Sequence, residues 1–436
     1  MGGIKATRVS RRNVLELGAS ALGLGLVDLL RLRALGSGSS RARANKSLIV
    51  FWTNGGLSQQ DTYDMKPDAP PEFRGSYRPI ATTVPGIQIT ERFPRQARVM
   101  KQLSIVRSVH HENGIHAPSA HWMQTGYFGP TLARNAPQKP SFGSVIGRVR
   151  GASEGLIPPY VAIPQAEAFG YQGAVYLGAA YNPFELGANP NAMDFRVPNL
   201  ALPRELRLSS VRSRTQLLRE FDALQREADH ASVNDDLNSF KSQALEMVTG
   251  EKVRNAFDIS KEDPRLRDRY GRHQYGQSAI LARRLIESGS TCVTINTGYW
   301  DHHDDIDKGL ETQLSPLDAA IGALVEDLED RGMLDDVVIY CAGEFGRTPL
   351  INGNAGRDHW ANCFSVLLGG GGLKGGMVVG ASEYRGGKVR ERPVSPGDLL
   401  ATIYQALGIP LDTHFEDATG RPVSIVAGGK TIHELV

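Results

Sequence analysis

Cysteine is scarce in this chain, with only Cys292, Cys341 and Cys363 among 436 residues. Three scattered thiols exclude a disulfide framework. Each lies in or beside an apolar run, where a buried, inert thiol is expected. Long hydrophobic runs are also missing: no stretch reaches the roughly 18–20 uninterrupted apolar residues of a transmembrane helix. A dominant charge is absent as well, since the formal net charge is +2. That figure hides an asymmetry, because residues 1–44 carry eight Lys/Arg and two acids, leaving 41 basic against 45 acidic residues. A mildly acidic main portion gives nucleic acid no electrostatic footing. No internal repeat or low-complexity segment is visible. What remains is 41% apolar and 22% charged residues, an ordinary globular composition, long enough for one large α/β domain.

Ser10-Arg11-Arg12-Asn13-Val14-Leu15 precedes a weakly apolar stretch from Leu17 to Leu30, and Ala42-Arg43-Ala44 offers a small-residue cleavage site. This order resembles a twin-arginine export signal. Glu16 and Asp28 keep the apolar segment too polar for a good membrane span. The resemblance implies that the twin-arginine translocase carries the folded protein to the periplasm or beyond, often with a metal already loaded. Residues 1–44 are therefore set apart as a signal peptide, and residues 45–436 as the domain.

Short apolar runs of the kind that fill buried parallel strands occur at Leu48–Trp52, Leu103–Val106, Thr291–Ile295, Val337–Tyr340 and Phe364–Leu368. Leu317, Ala320, Ile321, Leu324 and Leu328 recur at helical spacing before Arg331-Gly332, and Asp398–Leu407 stops at Gly408 with Pro410 beyond. Strands alternating with helices predict a three-layer α/β fold, a mostly parallel central sheet with helices on both faces. Such sheets bind ligands beyond the carboxyl ends of their strands. Residues from about 150 to 275 read differently, first rich in Pro, Gly and Asn and then charged and helical from Ser213 to about Val253. They are expected to form an insertion over the sheet.

Seven of the eleven histidines, His110, His111, His116, His121, His302, His303 and His359, fall in segments that follow predicted strands. Trp300-Asp301-His302-His303-Asp304-Asp305 gathers carboxylates and imidazoles, which suit a divalent metal, although a solvated polar loop has the same composition. Glu344, Asp358 and His359 could complete an oxygen–nitrogen ligand set with Asp301 and His303. Arg347 or Arg357 would match an anionic group in a bidentate way, or Arg347 pairs with Glu344 as structure. Ser119 reads as an N-cap, which places His116 beside a helix N-terminus that favours anions. The blander alternative leaves Ser119 a plain cap and His121 on the helix surface.

These residues carry a resemblance to the alkaline phosphatase and sulfatase superfamily. Leu317-Asp318, Gly332 to Asp336, Val337–Tyr340 and Gly343–Gly346 keep the order of its Leu-Asp helix, turn, strand and Ser-Asp-His-Gly motif. His116-Ala-Pro-Ser119 through Thr125-Gly126 is similar to the sulfatase signature, and Asp398 to Pro410 to the late sulfatase helix. The chain is more similar still to the exported family of domain of unknown function 1501. That match rests on Gly55-Gly56-Leu-Ser58, Asp61, Asp64, Lys66-Pro67, Ala282–Glu287, Trp300-Asp301, His303, Glu344–Pro349 and Arg357-Asp-His359. Three positions depart from the superfamily pattern: His116 stands at its nucleophile, Glu344-Phe345 at its Asp-His, and Asn54 at its first-strand Asp.

The resemblance implies an exported hydrolase of phosphate or sulfate esters, acting on an anionic small molecule or polysaccharide. One divalent ion (zinc, manganese, iron or calcium) would be held by Asp301, His303, Glu344 and His359. His116 would serve as nucleophile or general acid/base, and Arg347 would steady the anion. Asp61 or Asp64 would compensate for Asn54. The three departures motivate an alternative, a binding or accessory protein that has kept the fold without hydrolysis.

Overall fold

In a computed structural model of the chain, residues 46–129, 138–151, 157–166, 173–197 and 250–436 are described. The leader at 1–44 and most of the charged stretch from Ser213 to Val253 lie outside them. Among the described residues, eight strands make the main sheet: β1 (Ser47–Asn54), β2 (Leu103–Val109), β3 (Tyr160–Ile163), β4 (Phe184–Glu185), β5 (Cys292–Tyr299), β6 (Val337–Ala342), β7 (Phe364–Gly370) and β8 (Val378–Val379). Their spatial order is β8-β2-β7-β6-β1-β5-β3-β4. Every pairing is parallel except those of β7 with β2 and β6.

Each of the five apolar runs forms a strand that continues past the expected end, to Asn54, Val109, Tyr299, Ala342 and Gly370. Part of the 150–275 segment also joins the sheet rather than lying over it. Tyr160-Val-Ala-Ile163 is fully buried and pairs with β5, because a four-residue apolar run can fill a strand once a neighbour supplies its hydrogen bonds.

Successive side chains on a strand point to opposite faces, and both faces are covered. Ile49, Phe51, Val293, Ile295 and Ile339 face one core. Against it pack α4 (Gln274–Glu287) and α5 (Ile306–Asp330), the latter through Leu314, Leu317, Ile321, Leu324 and Leu328. Leu48, Val50, Trp52, Val338 and Tyr340 face a second core, which holds α2 (His116–Thr125), α3 (Phe142–Arg150) and α6 (Pro396–Ala406). A capping box between Ser395 and Asp398 starts α6. Among the described residues, no helix is long and apolar enough to cross a membrane.

The Leu-Asp pair on α5 has a structural task. Asp318 accepts hydrogen bonds from the Arg95 and Gln96 amides at 3.0 and 2.8 Å, in the first turn of α1 (Pro94–Arg98), whose amides lack helical partners. Burial pushes its carboxyl up from 3.8 to about 6, against the pull of those amides. The folded state therefore holds this proton more tightly than the unfolded chain. Its contribution is fully present below the unfolded value and is lost as pH rises through the folded one. We expect the stability advantage of wild type over Asp318→Asn, measured by urea unfolding, to shrink by on the order of 2 kcal/mol between about pH 4 and pH 7. A gap that stays flat or widens overturns this assignment.

Candidate metal centre

β1, β2, β5 and β6 run in the same direction, and antiparallel β7 starts where they end. The segments leaving β1, β2, β5 and β6, and the one entering β7, therefore meet at a single edge. Thr53 to Gly56 make the floor. Gly55 and Gly56 have φ of +98° and +92°, a region that penalises any Cβ. A Cβ on Gly55 would lie 2.6 Å from the Asp301 amide, and one on Gly56 2.6 Å from the Phe345 carbonyl. The paired glycines thus let this turn press directly beneath the loops that carry the acids.

Asp301 is the hub. Its Oδ1 lies 2.9 Å from His303 Nε2 and 3.0 Å from His359 Nε2, and its Oδ2 lies 3.2 Å from His116 Nε2. The donor atoms of His116, Asp301 and His359 all fall within 4.8 Å of one another. Each imidazole is backed on its other nitrogen. His303 Nδ1 is 2.6 Å from Asp358 Oδ1, His116 Nδ1 2.7 Å from Glu344 Oε1, and His359 Nδ1 2.7 Å from the Gly114 carbonyl.

This backing has a chemical consequence. A carbonyl and a carboxylate only accept, so His359 and His303 must carry hydrogen on Nδ1. In the neutral rings both Nε2 lone pairs then point at each other across 3.1 Å and at an Asp301 oxygen. Such an array repels itself unless a second proton on one ring or a metal cation among the three atoms relieves it, and an imidazole oriented by an acceptor behind it is the usual arrangement of a metal-bound histidine. The donor set of two imidazoles and a carboxylate fits a divalent transition ion. Among the described residues, buried Glu344 Oε2 has no hydrogen-bond partner, a further sign that this edge is built around charge.

The remaining site residues sort by direction. Glu344, expected among the ligands, turns its Oε1 to His116 and to the Gly55 amide at 2.8 Å, so it orients an imidazole. Arg347 is fully buried. It donates to Asp301 Oδ1, to the Gly55 and Gly56 carbonyls and, at 3.0 Å, to that of Arg357. It anchors Asp301 and presents no face to a substrate. A two-residue ribbon pairing His359 with Arg347 and Trp360 with Gly346 brings both segments to the hub.

His302, next to His303 in sequence, turns away to Gln313 Oε1 at 2.8 Å. His111 is buried against the Glu344 carbonyl, and burial lowers its pKa to about 4. Burial also lowers the pKa of His116, but hydrogen bonds to Asp301 and Glu344 and their charges more than offset it, leaving it raised to about 9. Burial raises the pKa of the Asp301 carboxyl, but its bonds to His116 and Arg347 and the charge of Arg347 outweigh that and hold it far below the ordinary range.

Helix α2 begins at His116, not after Ser119, because Ile115 is the N-cap and Pro118 is tolerated within the first turn. Ser119 Oγ instead donates to the Asn113 carbonyl at 2.7 Å. His121 is buried rather than on the helix surface. Asp61 and Asp64 do not reach the hub: Asp61 pairs with buried Arg357 at 2.9 Å, and Asp64 with Lys66 at 3.0 Å. Asn54 is held by Trp52 Nε1 and Asn296. Two participants have no sequence signal at all: the Gly114 carbonyl behind His359, and the Tyr299 hydroxyl 3.1 Å from Asp301 Oδ2.

Residues 45–436 match the family model described as "Protein of unknown function (DUF1501)". The chain belongs to that family. No curated protein matches this member in sequence. Solved structures similar to it include a phosphonate monoester hydrolase from Silicibacter pomeroyi, at 12% identity over 89% of this chain and 76% of that one, with a TM-score of 0.37. The lipoteichoic acid synthase LtaP of Listeria monocytogenes shares 10% identity over 88% and 76%, with a TM-score of 0.39. The sulfatase PsFucS1 of a Pseudoalteromonas species shares 11% over 87% and 70%, with a TM-score of 0.38.

Proposed function

We propose that this DUF1501 protein is an exported, metal-dependent hydrolase of phosphate or sulfate esters. The reading rests chiefly on one observation, the meeting of the His303 and His359 Nε2 atoms with Asp301 Oδ1 at 2.9–3.1 Å. Asp301, His303 and His359 hold the ion, Asp358 and the Gly114 carbonyl fix the two rings, and Arg347 fixes the carboxylate. A divalent ion bound there supplies charge that polarises an ester oxygen or activates a water. His116 sits on the other Asp301 oxygen with Glu344 behind it, and two flanking carboxylates favour an imidazole that carries a proton. It serves as the general acid/base toward the departing oxygen, with Glu344 setting its orientation.

Metal analysis of the mature protein, beside turnover assays on aryl phosphates and aryl sulfates, tests this. His116→Ala is expected to retain the ion and lose on the order of 10²–10⁴-fold in kcat, the usual worth of a positioned proton carrier. A protein that takes up no divalent ion after supplementation and cleaves none of these esters sinks the proposal. Full metal occupancy without turnover favours the binding-protein reading, which the engaged Asn54 side chain and the stacking of Phe345 on His359 at 4.5 Å support.

A further inference from the structure

Beside the metal centre, the 60–79 segment folds over a separate cavity of about 450 Å³. Its walls include Gln60, Lys66, Arg74, Tyr77 and Arg78, and among the described residues no acidic one lines it. Among the described residues, neither Arg74 nor Arg78 enters an ion pair. The Arg74 guanidinium donates only to the Pro67 carbonyl, at 3.2 Å, while Lys66 is paired with Asp64 at 3.0 Å. The other nearby acids are engaged: Asp307 accepts from Ser76, and Glu91 from the Arg78 amide.

Cationic walls call for an anion, but the cavity asks for more than charge. Gln60 is 1% exposed, and its buried Oε1 has no hydrogen-bond partner among the described residues. Its amide nitrogen reaches the Arg385 carbonyl only at 3.4 Å. A buried acceptor left open is costly, and a ligand bearing an O–H donor satisfies it. Met65, Pro67, Pro79 and the Tyr77 ring supply apolar wall for a carbon skeleton. The volume lies within the range of small-molecule pockets.

We propose that this cavity is a second ligand site, taking a hydroxylated small anion of monosaccharide size whose phosphate, sulfate or carboxylate meets Arg74 and Arg78 and whose hydroxyls meet Gln60. The site goes beyond the ester-hydrolase reading and does not depend on it, because none of its residues touches the Asp301 hub.

Isothermal titration of the full chain with glucose 6-phosphate, glucose 6-sulfate and glucuronate, beside glucose and inorganic phosphate, tests it. At least one of the three sugar anions is expected to bind saturably and more tightly than glucose or phosphate. The exposed pair Arg74→Gln/Arg78→Gln should weaken that binding at least tenfold while keeping metal content and turnover at wild-type levels. Gln60→Met should weaken the sugar anion and leave inorganic phosphate unchanged. No saturable binding by any sugar anion overturns the proposal. So does undiminished binding in the double variant, which would put the anion elsewhere, or phosphate alone binding as tightly as the sugar anions.

Discussion

Protein carrying Asp301→Ala is expected to bind a divalent ion at least roughly a hundredfold more weakly than wild type, more than loss of an orienting partner alone produces. Asp301 Oδ1 is the charged atom shared by His303 and His359, so without it the cluster keeps two lone pairs and loses the charge that offsets the ion. Elemental analysis after metal supplementation and direct titration with zinc or manganese measure the effect. Alanine also strands the Arg347 guanidinium, which is buried against Asp301. Asp301→Asn, which keeps the volume and an oxygen for Arg347, separates lost ligation from lost folding. Asp358→Asn, which touches only the far side of His303, should weaken the ion by about 10–100-fold. Wild-type affinity in both Asp301 variants would falsify the metal assignment.

Arg357→Ala should cost about 3–5 kcal/mol of folding stability, because it removes one partner of a buried pair and leaves the other charged. The Arg357 and Asp61 side chains are 0% and 1% exposed. The guanidinium also donates to the Thr348, Pro349 and Phe73 carbonyls, which would lose those donors. The double substitution Asp61→Ala/Arg357→Ala should cost less than the sum of the singles, since the second change removes the charge stranded by the first. Urea midpoints of the four proteins measure the coupling. Additive costs would mean that Asp61 and Arg357 do not act as a pair.

Much of the fold was legible in one dimension. Val, Ile and Leu runs such as Leu48–Trp52 and Val337–Tyr340 are apolar at every position, which only a strand covered on both faces uses, and both cores do cover them. The stop signals Gly332 and Gly408 lie just past α5 and α6. Tyr160–Ile163 escaped notice because four apolar residues after Pro158-Pro159 look like loop until β5 is placed beside them. Ser119 misled because a serine ahead of a helical run is a good cap, while the real start lay one turn earlier.

The order of motifs, the apolar strands and the clustering of histidines behind them follow from the chain itself, since strand direction and short connections bring those segments to one edge of the sheet. Which atoms face one another was settled only by tertiary packing. Adjacent His302 and His303 part company, one to Gln313 and one to Asp301, because the backbone of that loop sends successive side chains to different neighbours. Glu344 turns to His116, Asp301's partner, because the Gly55 amide, nearly 290 residues away in sequence, fixes its carboxylate. Arg347 is spent on Asp301 and backbone carbonyls because burial leaves a guanidinium no stable alternative to pairing. Residue types and their spacing reveal that a charged site exists at this edge, whereas the role of each charge depends on partners hundreds of residues distant.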